Sequence, residues 1–204
     1  MQQSLNPWIT RLATADGAET STPEAHVPAP AVISEPLKGM VEPDAADRLG
    51  RRTVAGSAAL WVTGAHGGAG ESRTADLLNG AHITDHCWPV LQDGSKPQVL
   101  LVCRADIRGL TAAQSALTQW ASGAAPAVDL LGLAILADAP GKTPKALRDF
   151  AAIVGGGAPR FWTLPWVEAW RHGDSTTAPP GREYQRFITD LAVLATTTSL
   201  VTTH

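Results

Sequence analysis

The chain has 204 residues, 44% of them hydrophobic and 17% charged, enough apolar content for one α/β domain with a substantial core plus an extension. Its net charge of -3 is spread without a dense basic patch, so there is no direct nucleic-acid signature. Cys87 and Cys103 are too few for a disulfide framework and fit a reducing cytoplasm. The opening residues lack a signal-peptide pattern and no apolar run is long enough to span a bilayer, which excludes a membrane-spanning reading.

Residues 1–52 are rich in Pro and Ala, with Pro23, Pro28, Pro30, Pro36 and Pro43 set among Thr, Ser, Glu and Asp. Such a segment buries too little apolar surface to offset its ordering entropy, so a disordered tail is expected there. Within it, Leu5-Asn-Pro-Trp-Ile-Thr-Arg11 places Trp8 as a candidate docking anchor or as an incidental apolar island. Arg48, Arg51 and Arg52 read as the solvated edge of a domain over residues 53–204.

The first strand is expected over residues 58–63 and the first helix over residues 72–79, stopped by Gly80. A polar, turn-rich stretch follows, broken by Cys87-Trp-Pro-Val90. Residues 99–103 and 130–137 are apolar runs of the kind buried on both faces of a parallel sheet. Helices are expected over residues 111–121 and 144–154, the second closed by Gly155-Gly-Gly157. A strand over residues 160–164 ends at Pro165, a short helix runs to Arg171, and a last helix covers residues 183–196. Alternating strands and helices predict an open, mostly parallel sheet with flanking helices.

Between the first strand and helix lies Trp61-Val-Thr-Gly-Ala-His-Gly-Gly-Ala-Gly-Glu-Ser72. Strand, glycine-rich turn and helix start together make a cradle in which backbone N–H groups converge on an anion. The residue before the hydroxyl of Ser72, where such loops carry a Lys that reaches phosphate, is Glu71. Two unit charges about 4 Å apart interact by roughly 4 kcal/mol at an effective dielectric of 20. Exchanging attraction for repulsion against a polyphosphate therefore argues against ordinary nucleotide hydrolysis. A Glu at a helix start is favoured in itself by the macrodipole, so Glu71 reads as an internal anion partly replacing a phosphate.

The glycine spacing of His66-Gly-Gly-Ala-Gly-Glu-Ser72 resembles the deviant Walker A loop of the ParA/MinD-type P-loop ATPases, as a shortened and degenerate bacterial relative. His66 stands at that family's signature Lys and Glu71 at its phosphate-binding Lys. The resemblance implies a P-loop NTPase-like fold, with His66, Gly67, Gly68, Ala69, Gly70, Glu71, Ser72 and Arg73 around any nucleotide. It also implies Asp138 and Pro165 near the base, Mg-ATP as the cofactor if the site functions, and a possible homodimer. Leu133-Ala-Ile-Leu-Ala-Asp138-Ala-Pro-Gly141 also resembles a Walker B strand entering a switch, which would give Mg²⁺ the ligands Ser72 and Asp138, with Arg104 or Lys142 as an activating cation. An ordinary turn after a buried strand accounts for the same residues. Service to a partition or mobile-element system rests on the family analogy alone.

His82, Asp85, His86 and Cys87 gather metal-ligand types without a second cluster, and a solvated loop is the expectation. Trp162, Trp166 and Trp170 recur at four-residue intervals and read either as core or as an exposed aromatic patch for a partner protein. The function expected is thus a non-catalytic cytoplasmic regulatory or protein-binding module with nucleotide binding weak or lost; a weak ATP-dependent switch is the alternative.

Overall fold

The apolar runs of the sequence become the central strands of a parallel sheet, because only strands covered on both faces can bury every residue. The structure is a computed structural model describing residues 35–37, 39–56, 58–173 and 180–201; side chains are described to residue 196. All of these belong to the unit Val32–His204. The proposed anchor Trp8, the segment around it and most of the expected tail lie outside the described residues.

In chain order a 3-10 turn (Ala45–Asp47) leads to β1 (Gly50–Val54), β2 (Leu60–Gly64), α1 (Glu71–Asp76), β3 (Ala81–Ile83), β4 (Cys87–Leu91) and β5 (Gln98–Arg104). Then come α2 (Ile107–Ala121), β6 (Asp129–Leu136), α3 (Lys145–Gly155), β7 (Phe161–Leu164), α4 (Glu168–Arg171) and α5 (Arg182–Val201). Five strands pair in the order β3-β2-β5-β6-β7, and every pairing is parallel. The fold is α/β, a parallel sheet with helices on both faces. Among the described residues no helix is long and apolar enough to cross a membrane.

Strand periodicity divides the core. Trp61, Leu101, Cys103, Leu133 and Ile135 face α2 and α3, meeting Leu110, Leu117, Trp120 and Val154. The alternate residues Val62, Leu100, Val102, Leu136 and Leu164 meet Leu77 and Leu78 after α1, and Tyr184, Phe187 and Leu191 of α5. Burial pushes the Cys103 thiol up to about 12, with Asp106 adding to the shift, so this cysteine is a core side chain.

Residues 45–52, read as tail from the sequence, contribute the 3-10 turn and most of β1. β1 pairs with β4 in a separate two-stranded parallel sheet, where only a turn-rich stretch was expected. Gln119 of α2 pins this small sheet. Its Oε1 accepts from Trp88 Nε1 and from Leu49 N–H, each at 3.0 Å, and its Nε2 donates to the Leu49 carbonyl at 3.1 Å. Arg51 also donates to the Ala124 carbonyl. Helix α2 starts four residues before the periodicity indicates, because Asp106 caps it by accepting from Gly109 N–H at 2.7 Å.

Candidate functional site

The glycine-rich turn leaves β2 at Gly64 and enters α1 at Glu71, as the sequence indicates. Gly68 and Gly70 hold φ of +83° and +97°, a left-handed backbone that a Cβ disfavours. Gly70 is also crowded, since a Cβ there would meet Leu136 Cδ2 at 2.7 Å. Among the described residues no acceptor meets the N–H groups of Gly68, Gly70 or Ser72, whereas Ala69 N–H donates to the His66 carbonyl.

Glu71 is 5% exposed, and its carboxylate turns away from these amides. Oε1 accepts from Thr84 N–H at 3.0 Å and from Thr84 Oγ1 at 3.3 Å, and Oε2 lies 3.1 Å from His86 Nδ1. Thr84 N–H is shared with the Val62 carbonyl at 3.2 Å, and its hydroxyl reaches Thr63 Oγ1 at 2.9 Å. Glu71 is therefore a buried anion with internal partners. Those partners come from the end of β3, where the sequence reading placed the anion against the loop itself.

The link between β3 and β4 makes this possible. Asp85 and His86 adopt φ of +52° and +59°, two successive left-handed residues at a cost of about 1–3 kcal/mol each. An ion pair from Arg52 to Asp85 and the contact of His86 with Glu71 hold the kink. The His86 ring covers Gly64 so closely that a Cβ there would stand 2.6 Å from Nδ1. Of the expected metal-ligand types, Asp85 is thus engaged by Arg52, His86 by Glu71, and His82 packs edge-on against Trp61.

His66 and Arg104 close the other side. Arg104 donates from its backbone N–H to His66 Nε2 at 3.2 Å, from Nε to the Gly68 carbonyl at 3.2 Å, and from a terminal nitrogen to the Ala137 carbonyl at 2.9 Å. With Nε2 accepting, His66 carries its proton on Nδ1, which faces the Gly67 carbonyl at 2.9 Å. Its ring is folded inward against the start of α2, where a Cβ on Gly109 would come within 2.9 Å of Nε2.

The expected magnesium donors do not converge. Ser72 is exposed and lines the groove between α1 and β3, while Asp138 is exposed beyond β6, with β5 standing between that strand and β2. Lys142 is exposed, and Arg73 lies 3.8 Å from Asp76. With Glu71, the one buried carboxylate among the described residues, committed to Thr84, this donor set does not fit Mg-ATP.

Pro165 lies where β7 ends, on a cavity of about 370 Å³ floored by Ala105, Ile135 and Phe161 and bordered by Thr163, Trp166 and Arg148. The three tryptophans do not form one patch. Trp162 packs edge-on against Phe187 and Trp170 against Tyr184, both toward α5, while half-buried Trp166 precedes α4 and donates to Glu168. Tyr184 donates its hydroxyl to the Pro165 carbonyl at 3.0 Å, and burial raises its pKa against the opposing effect of Arg104. Sequence reasoning missed Thr84, the place of His86 beside Glu71 and the inward role of Arg104, since nothing in a short polar stretch signals a kink that brings two residues to one carboxylate. Residues 58–186 match the family described as "Family of unknown function (DUF6668)". No curated protein and no solved structure matches the chain.

Proposed function

Since the chain belongs to the DUF6668 family of unknown function, we propose that it is a non-catalytic regulatory or protein-binding module on a P-loop-like frame, with nucleotide binding weak or lost. The observation that carries this reading is the buried Glu71 carboxylate, held by Thr84 and lying 3.1 Å from His86 Nδ1, at the position where a phosphate-binding loop needs a cation. A polyphosphate on the loop amides would lie beside this fixed negative charge in a partly desolvated site, where repulsion is strong. Arg104, whose guanidinium reaches the loop, already commits two of its side-chain donors to the Gly68 and Ala137 carbonyls. An ATP-dependent switch remains the competing reading, favoured by the N–H groups of Gly68, Gly70 and Ser72, which meet no acceptor among the described residues.

A fluorescent ATP analogue titrated into the full-length protein, with and without Mg²⁺, separates the two. The expected result is no saturable binding, with Ser72→Ala unchanged. Tight Mg²⁺-dependent binding that Ser72→Ala abolishes would overturn the proposal. Glu71→Gln keeps an acceptor for Thr84 and removes the charge, so a gain in nucleotide affinity in that variant identifies repulsion as what keeps nucleotide out.

A further inference from the structure

An open parallel sheet leaves a crevice at the carboxyl ends of its strands, where the chain turns away toward one face or the other. In this sheet the connections change face between β2 and β5, and that part of the crevice is filled. His66 folds against the start of α2, and Arg104 bridges the Gly68 and Ala137 carbonyls. The open part lies over the neighbouring strands. Ala105, Ala137 and Pro165, the residues that follow β5, β6 and β7, all line the cavity of about 370 Å³. That volume lies within the range of small-molecule pockets.

Its lining combines an apolar floor with two charges of opposite sign. Ile135 and Phe161 make the floor, and half-buried Trp166 stands at the border. Helix α3 packs on the Leu133 and Ile135 face of the sheet and α5 on the Leu136 and Leu164 face. Arg148 of α3 and Glu183 of α5 therefore reach the cavity from opposite faces. Arg148 spends one terminal nitrogen, Nη1, on the Thr143 carbonyl at 2.7 Å. Its Nε and Nη2 remain as the side-on fork that a carboxylate accepts from bidentately. Neither Arg148 nor Glu183 has an ion-pair partner among the described residues. A ligand charged at one end alone gains from one of these residues only, whereas a dipolar one is attracted at both ends.

We propose that this cavity binds a small aromatic zwitterion, with its carboxylate on Arg148, its ammonium group toward Glu183 and its ring against Phe161 and Trp166. Flat rings suit a site bordered by two aromatic side chains. The assignment goes beyond the protein-binding reading and does not depend on it. An adenine nucleotide is the poorer occupant, because its phosphates bring several negative charges to a cavity whose lining offers Arg148 against Glu183.

The test titrates aminomethylbenzoate into isotope-labelled full-length protein, with benzoate and benzylamine as its single-charge counterparts, and follows N–H shifts by NMR. Saturable shifts are expected at the Ala137 and Thr163 amides and at the Trp166 indole. Each counterpart should bind about threefold or more weakly, the margin set by charges at an open rim. Arg148→Glu should weaken binding of the zwitterion, and adding Glu183→Arg should restore it with the ligand reversed. Ala152→Phe places a ring in the cavity from an exposed position on α3, so it should abolish binding without lowering the melting temperature. No saturable shift, shifts centred away from the cavity, or a counterpart that binds as tightly as the zwitterion would each overturn the assignment. Displacement of the probe by Mg-ATP at lower concentration would overturn it in favour of a nucleotide. The Ser72 and Glu71 variants of the nucleotide titration probe the glycine turn, so this site can fail while the broader proposal stands.

Discussion

Replacing Glu71 tests the central argument most directly, because three substitutions remove different parts of one arrangement. Glu71→Gln keeps an oxygen for Thr84 N–H and Thr84 Oγ1 and changes only the contact with His86, a side chain 41% exposed. Solvent screens that pair, so the expected loss of stability is below about 1 kcal/mol. Glu71→Ala removes a charge-assisted bond of about 1.5–3 kcal/mol. The lower half of that range applies, since Thr84 N–H retains the Val62 carbonyl at 3.2 Å and its hydroxyl retains Thr63. Glu71→Lys places an unpaired cation in a site that is 5% exposed and faces donors, at a cost of about 3–5 kcal/mol. Urea unfolding followed by tryptophan fluorescence should rank the variants Gln, Ala, Lys in increasing loss. A Lys variant within about 1 kcal/mol of the parent, with Ala and Gln indistinguishable from it, would refute the view that this carboxylate is structural.

Gln119→Leu strips partners from Trp88 Nε1 and from both backbone groups of Leu49, and should cost about 2–4 kcal/mol in the same unfolding assay. Gly70→Ala combines a φ of +97° with a 2.7 Å approach to Leu136 and should lose about 1–3 kcal/mol. Gly67→Ala meets nothing within 4 Å and should stay within about 0.5 kcal/mol in parallel thermal melts. Cys103, its thiol pushed up to about 12, should resist a thiol reagent at pH 8 in native protein while the half-buried Cys87 reacts; rapid modification of both would contradict the buried placement.

The parts of the fold legible in the sequence are those that burial dictates. β5 and β6 are apolar at nearly every position because both of their faces are covered, and that pattern survives without any knowledge of neighbours. β1 is exposed at four of five positions and β3 has no buried residue, so neither leaves a hydrophobic trace. β4 carries Pro89, which reads as a break; the two-stranded sheet it joins offers it an edge. The glycine turn was visible from spacing, and Glu71 from its charge. Its partners were not, since Thr84 and His86 reach it only through two left-handed residues, neither of which is Gly. Of the two readings of the tryptophan spacing, core packing describes Trp162 and Trp170, which meet Phe187 and Tyr184, while Trp166 lies in the connection before α4 and not on a helical face shared with Trp170.

The pairing of β1 with β4 has a kinetic meaning. Gly50 meets Cys87 and Val54 meets Leu91, so that ladder closes a chain segment holding β2, the glycine turn, α1 and β3. Non-local pairing of this kind is slow to form, since loop-closure entropy must be met before the contacts exist. Once formed, it acts as a clasp on the Asp85–His86 kink through the Arg52 ion pair. Opening the small sheet would release the kink, and with it the donors that hold Glu71, as one cooperative unit while the five-stranded sheet stays closed. The placement of the Glu71 carboxylate thereby depends on a strand that precedes the glycine turn in the chain and lies outside it.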